Sequence, residues 1–212
     1  MTVISKNLAH IYWVGGSPCS GKSSIATALA AKYGWEYYSC DDAFYRHWKM
    51  VNAEDQPVFT RVMRLDQEVL WMRPVEQQVR EEIEIYREEF PFILADLQAL
   101  PRTRPVIAEG AALMPELVLS YLTQKERYIA IVPAAAFQLE HYSRREWITE
   151  HLNACSDPQQ AFRNWMERDI RFAIQVRARA EESGLRTIVV DGERTIDEIR
   201  ADVERYFGCI LT

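Results

Sequence analysis

The chain has 212 residues, of which 48% are apolar and 26% charged, and its 25 Lys and Arg against 31 Asp and Glu leave a net charge of −6. This is an ordinary globular mix, with enough apolar residues to bury a core without disulfide or metal staples. The acidity disfavours broad binding to nucleic acid or to anionic membranes, although a local basic pocket is compatible with it.

No apolar run approaches the roughly 20 residues that span a bilayer. The first residues, MTVISKNLAH, lack the apolar stretch of a signal peptide. Cys19, Cys40, Cys155 and Cys209 form no CxxC or metal-ligand spacing and read as reduced thiols. A cytoplasmic location is therefore expected. Secreted, fibrous, disordered and membrane classes are set aside.

Short apolar runs alternate with longer helical periodicities, the pattern of a parallel α/β sheet. The first strand spans 10–15. A Gly-rich turn follows, then a helix over 22–33 that Gly34 stops. The second strand spans 35–39 and ends at Asp41-Asp42. The long stretch after it is helical in pattern, with breaks near Pro57, Pro74, Pro91 and Pro101. It exceeds a plain crossover and predicts a helical insertion, about 43–102, over the edge of the sheet where ligands bind. Arg73, Arg80 and Arg87 recur there, as a solvated face balanced by Glu76, Glu81, Glu82 and Glu84 or as a row facing substrate. Trp48, Phe59, Trp71, Tyr86 and Phe92 are core residues or the lining of a ring-binding pocket.

The third strand, 105–109, ends at Glu109-Gly110, and the fourth, 128–132, stops at Pro133. A helix then runs to its end at Ser143-Arg144-Arg145-Glu146-Trp147, and a polar, weakly periodic stretch over 149–158 predicts a lid of about 144–158. A long helix spans 159–182, with Phe162, Met166, Ala173, Val176 and Ala180 as its apolar stripe. Asp169 falls on that stripe. It is either at the wet edge of the helix or buried beside a lid arginine, since a buried carboxylate needs a partner. The fifth strand is 186–190. Thr195 and Glu198 then form a capping box for a helix with Ile196, Ile199, Val203 and Phe207 on one face. The expectation is a single domain, 1–212, with a five-stranded parallel sheet flanked by helices.

Gly16-Ser17-Pro18-Cys19-Ser20-Gly21-Lys22-Ser23 matches G-x-x-x-x-G-K-[ST] in full, after an apolar strand and opening a helix, the context that confirms the motif. Gly16 and Gly21 let the backbone curl so that successive N–H groups face phosphate oxygens. The helix N-terminus adds its positive end. Lys22 is expected on the β- and γ-phosphates and the Ser23 hydroxyl on Mg²⁺, with Ser24 in packing or a minor phosphate contact. The Cys19 thiol sits where Lys22 and a helix N-terminus lower a thiol pKa; alternatively only its backbone matters.

These residues, with the carboxylate pair Asp41-Asp42, resemble the small P-loop kinases, a superfamily that includes nucleoside monophosphate kinases, chloramphenicol phosphotransferase, zeta toxins and the kinase domain of polynucleotide kinase. The resemblance implies a P-loop NTPase fold, ATP and Mg²⁺. By its similarity to polynucleotide kinase, Asp41 is the base and a metal contact, Asp42 its neighbour, and Arg46 a substrate or phosphate contact. From the residues alone, one Asp of the pair faces the site and the other caps the next helix. Glu109 ends a strand where such proteins often keep an acid acting on Mg²⁺ through water; otherwise it pairs with an arginine. The resemblance also implies a lid that brings arginines to the triphosphate. Arg144 and Arg145 are the candidates, with Arg168 and Arg171 behind them. The expected function is transfer of the ATP γ-phosphoryl group to a hydroxyl or phosphate of a small molecule. A nucleotide-dependent regulator and a kinase of nucleic-acid ends are the alternatives. Oligomeric state is not readable.

Overall fold

The computed structural model describes residues 8–208; Cys209 and the first seven residues lie outside them. Five strands, β1 (Ile11–Gly16), β2 (Glu36–Ser39), β3 (Val106–Glu109), β4 (Tyr128–Pro133) and β5 (Arg186–Val190), form one sheet in the order β2-β3-β1-β4-β5. All neighbours pair in parallel: Trp13 lies opposite Ala108 on one side and Tyr128 on the other, and Ser39 lies opposite Glu109. Every residue of β1, β3 and β4 is buried. A parallel strand covered on both faces needs a continuous apolar run rather than an alternating one.

Among the described residues ten α-helices accompany the sheet: α1 (Lys22–Tyr33), α2 (Cys40–Trp48), α3 (Pro57–Val62), α4 (Gln67–Met72), α5 (Val75–Ala99), α6 (Pro115–Val118), α7 (Ala135–Ser143), α8 (Glu146–Leu152), α9 (Pro158–Glu182) and α10 (Ile196–Gly208). One face of the sheet, with Tyr12, Val14, Ile107, Ile129 and Ile131, packs on Ile25 and Leu29 of α1 and Ile199, Val203 and Phe207 of α10. The other face, with Ile11, Trp13, Val106 and Ala130, packs on Ile93 and Leu97 of α5 and Phe172 and Val176 of α9. Each of these large side chains stabilises the fold by about 1.5–3 kcal/mol through burial. Ile196, expected on the α10 core face, is half in solvent and lies against Gly21 instead.

Three local expectations are corrected. The second strand stops at Ser39, and the Asp41-Asp42 pair lies in the first turn of α2. The cause is Ser39, whose Oγ accepts from the Asp42 N–H at 3.2 Å and so starts a helix at Cys40. Pro91 does not break the helix. It sits on the exposed side of a continuous α5. A mid-helix proline costs about 3 kcal/mol, which the burial of Phe90, Ile93, Leu94 and Leu97 on the opposite side offsets. The 149–158 stretch is not uniformly a polar loop: α8 runs to Leu152 and buries Ile148 and Leu152 in one cluster with Trp165, an i, i+4 pair on one helix face. Among the described residues, Cys19, Cys40 and Cys155 are free thiols, and no helix is long and apolar enough to cross a membrane.

Candidate active site

The loop between β1 and α1 is shaped by close approach to β4. Gly16 has φ +135, and a Cβ there would meet the Ile131 carbonyl oxygen at 1.9 Å, so only glycine fits. The Ser17 N–H donates to that same carbonyl at 3.2 Å. Cys19, a non-glycine residue, takes a left-handed conformation at φ +65, a backbone cost of about 1–2 kcal/mol that serves the curl of the loop. Ser20 Oγ donates to Ser17 O at 2.9 Å, and Lys22 Nζ donates to Ser17 O at 2.7 Å and to Ser20 Oγ at 3.4 Å. No side chain caps α1, whose N-cap is Gly21. Its first N–H groups are therefore left for an anion. Burial lowers the Lys22 pKa, while Glu109 and Asp41 pull it back up.

Below the loop, Glu109 is 1% exposed. Its carboxylate accepts from Ser23 Oγ at 3.2 Å and from Tyr37 OH at 2.9 Å. Burial raises the Glu109 pKa and Lys22 opposes this. Burial and Glu109 together push the Tyr37 phenol up to about 12, so it remains a donor. Ser23 and Glu109 form an oxygen-only donor set, which fits a hard cation such as Mg²⁺.

A cleft of about 580 Å³ opens over the loop. Residues 18–24 form its floor, and Asp41, Tyr86, Ala111, Phe137, His141, Tyr142, Arg145 and Trp147 its walls. Arg145 lies 3.7 Å from Cys19 Sγ and 4.6 Å above the Tyr142 ring. A second cavity of about 620 Å³ continues from Cys19–Gly21 past Phe137 and His141 to Gly192, Arg194 and Ile196.

The structure therefore brings Lys22, Ser23, Ser24, Asp41 and Arg145 to one cleft, with Pro18, Cys19, Ser20 and Gly21 beneath them and Gly16 and Ser17 buried under the loop. Other expected residues lie elsewhere. Arg144 is exposed and bonded to Glu140. Arg46 is bonded to Asp96. Asp42 is exposed outside the cleft. Asp42 does not supply the α2 cap either, since Ser39 does. Arg171 pairs with Glu76 and Glu167 at the surface. Burial raises the Cys19 thiol pKa and outweighs the opposing pull of Arg145 and Lys22, which favours the reading in which only the Cys19 backbone matters. Arg73 and Arg87 pair with Glu81 and Glu84. Of the five aromatics singled out between β2 and β3, Tyr86 alone lines the cleft; Phe59 and Trp71 are core, and Phe92 stacks on His47.

Asp169 is fully buried, and its partner is its own neighbour Arg168 rather than Arg144 or Arg145. Arg168 Nη2 is 2.6 Å from Asp169 Oδ1, and Nε is 2.8 Å from both Asp169 Oδ1 and Glu82 Oε2. The guanidinium lies 5.0 Å above Trp71, which stacks on Trp165 at 4.3 Å. Burial pushes Glu82 up to about 7, with Arg168 opposing it. A second buried cluster, not anticipated from sequence, joins His47 to Glu89 at 2.8 Å and to Asp96 at 2.9 Å. Phe137 and His141, an i, i+4 pair on α7 with ring centroids 3.9 Å apart, were legible as a helix-face pair but carried no chemical signature.

The five-stranded all-parallel sheet flanked by helices is consistent with a P-loop NTPase-like α/β fold. No protein-family model matches the chain, and no curated protein does. Similar solved structures include TT1252 from Thermus thermophilus (16% identity, 95% of each chain covered, TM-score 0.48). They also include an uncharacterized protein from Eubacterium ventriosum (13%, 94% of this chain and 98% of that one, TM-score 0.44). A third is a protein from Chloroflexus aurantiacus described as a “putative kinase” (15%, 92% and 97%, TM-score 0.38). At these identities and TM-scores the likeness transfers no function.

Proposed function

We propose that the chain is a kinase that moves the γ-phosphoryl group of ATP to a hydroxyl or phosphate of a small molecule, with Mg²⁺. The observation that carries this reading is the convergence of Lys22, Ser23, Asp41 and Arg145 on one cleft over a G-x-x-x-x-G-K-S loop. The loop N–H groups and Lys22 hold the triphosphate. Arg145, beside Cys19, meets the charge that spreads over the transferring oxygens. Asp41 takes the proton of the attacking group. The cavity between Phe137, His141 and Arg194 offers a ring-stacking place for the base. Ser23, with Glu109 behind it, would hold Mg²⁺, which would supply charge neutralisation at the phosphates. A purely regulatory nucleotide binder has no use for a carboxylate lining the cleft over the phosphate loop.

The test is ADP release from ATP across a metabolite panel, with the wild type and Asp41→Asn in parallel. The variant keeps the shape and removes the base, so transfer should fall by about 10²–10⁴-fold while ATP binding persists. Equal transfer by the two proteins would remove Asp41 from the chemistry.

A further inference from the structure

The acceptor end of the cleft differs from its nucleotide end in charge. Two cations line the cleft: Lys22 of the phosphate loop, bonded to the loop carbonyl of Ser17, and Arg145 at the start of α8, which lies against Cys19 of that loop. No lysine or arginine of the segment between β2 and β3 lines the cleft. Arg46, Arg61, Arg73 and Arg87 are instead bonded to Asp96, Glu81, Glu81 and Glu84. That segment presents Asp41 and Tyr86 to the cleft.

The layer behind this wall is acidic as well. Tyr86 OH donates to Glu82 Oε1 at 3.1 Å. Glu82 shares the single guanidinium of Arg168 with Asp169. Arg168 is thus held by two carboxylates and does not line the cleft. An anionic acceptor would meet the Asp41 carboxylate on this wall, and recognition of a phosphomonoester calls for arginine forks or lysines directed at it. This wall has none to offer. It has a carboxylate that accepts a proton and the ring of Tyr86, against which a ring or hydrocarbon face can pack.

We infer that the phosphoryl acceptor is an alcohol bearing no phosphate or other anionic group, an assignment that rests on the kinase reading above and narrows it. Asp41 takes the hydroxyl proton and the hydroxyl oxygen forms the new P–O bond. The bond from the γ-phosphorus to its bridging oxygen breaks, and ADP leaves with the electron pair. The products are a phosphomonoester and ADP.

The wild-type protein suffices for the test, in two arms. In the first, calorimetry compares ATP with dinucleoside pentaphosphates that carry adenosine at one end and adenosine, guanosine, uridine or thymidine at the other. These compounds place a second phosphate-bearing group where an anionic acceptor would sit. They should bind no more than about threefold tighter than ATP; a gain of about a hundredfold for any of them would overturn the assignment. In the second arm, ADP release is measured with matched pairs: nucleosides and their 5′-monophosphates, hexoses and hexose phosphates, amino alcohols and their phosphate esters. No phosphorylated member should raise release above its parent alcohol, and one that does would equally overturn it. Failure to bind ATP in the first arm would instead overturn the kinase reading, and the acceptor assignment with it.

Discussion

Arg144 and Arg145 are adjacent in sequence and opposite in placement. Arg144 continues the α7 conformation at φ −90, ψ −3 and turns outward to Glu140, whereas Arg145 is extended at ψ 105 and enters the cleft. Arg145→Ala should therefore lower kcat by roughly 10²-fold and raise the KM for ATP much less, because its contact strengthens as charge develops. Arg144→Ala should leave both near wild type. Steady-state kinetics of the two variants checks this, and the reverse order would contradict the placement. The curl of the loop was legible from its glycines, since Gly16 has no room for a Cβ and Gly21 has a positive φ. Which member of Arg144-Arg145 or of Asp41-Asp42 faces inward was not legible. It depends on where α7 ends and on Ser39 capping α2, and both are settled by a single backbone dihedral or hydrogen bond.

The pairing of α2 with α5 rests on an ion cluster that periodicity alone could not reveal. His47 is 1% exposed with a carboxylate on each ring nitrogen. Burial pulls its pKa down, but hydrogen bonds to Glu89 and Asp96 hold it above the usual 6.5. Asp96 is held below its ordinary value despite burial, by His47, Tyr38 and Arg46. A raised histidine contributes stability that is fully present below its unfolded pKa and is lost as pH rises through the folded one. Asp96 contributes above its unfolded pKa and loses that contribution as pH falls through the folded one. His47→Gln should thus cost more stability near about pH 6 than near about pH 9. Denaturant melts of both proteins at the two pH values check this; a gap that widens with pH would show that His47 is neutral when folded. The strands and the long helices were legible to within a residue or two. The α8 helix and the unbroken α5 were not, because tertiary burial of Ile148, Leu152, Ile93 and Leu97 overrides weak local signals.

Arg168 joins three helices: it ties α9 to Glu82 of α5 and sits above Trp71 of α4. Removing one member of a buried ionic group leaves the others uncompensated, at a cost of about 3–5 kcal/mol. Arg168→Ala should lose that much in chemical denaturation, while Arg171→Ala, whose pairs are exposed, should lose less than about 1 kcal/mol. Equal losses would mean that Arg168 is no keystone. The central claim is that the loop and Lys22 hold a nucleotide triphosphate. Calorimetric titration of ATP–Mg²⁺ into wild type, Lys22→Ala and Asp41→Asn tests it most directly. A charge-assisted hydrogen bond is worth about 1.5–3 kcal/mol, so Lys22→Ala should bind roughly 10–100-fold more weakly while Asp41→Asn stays within about threefold of wild type. Unchanged affinity in Lys22→Ala, or no binding by the wild type, would contradict the account.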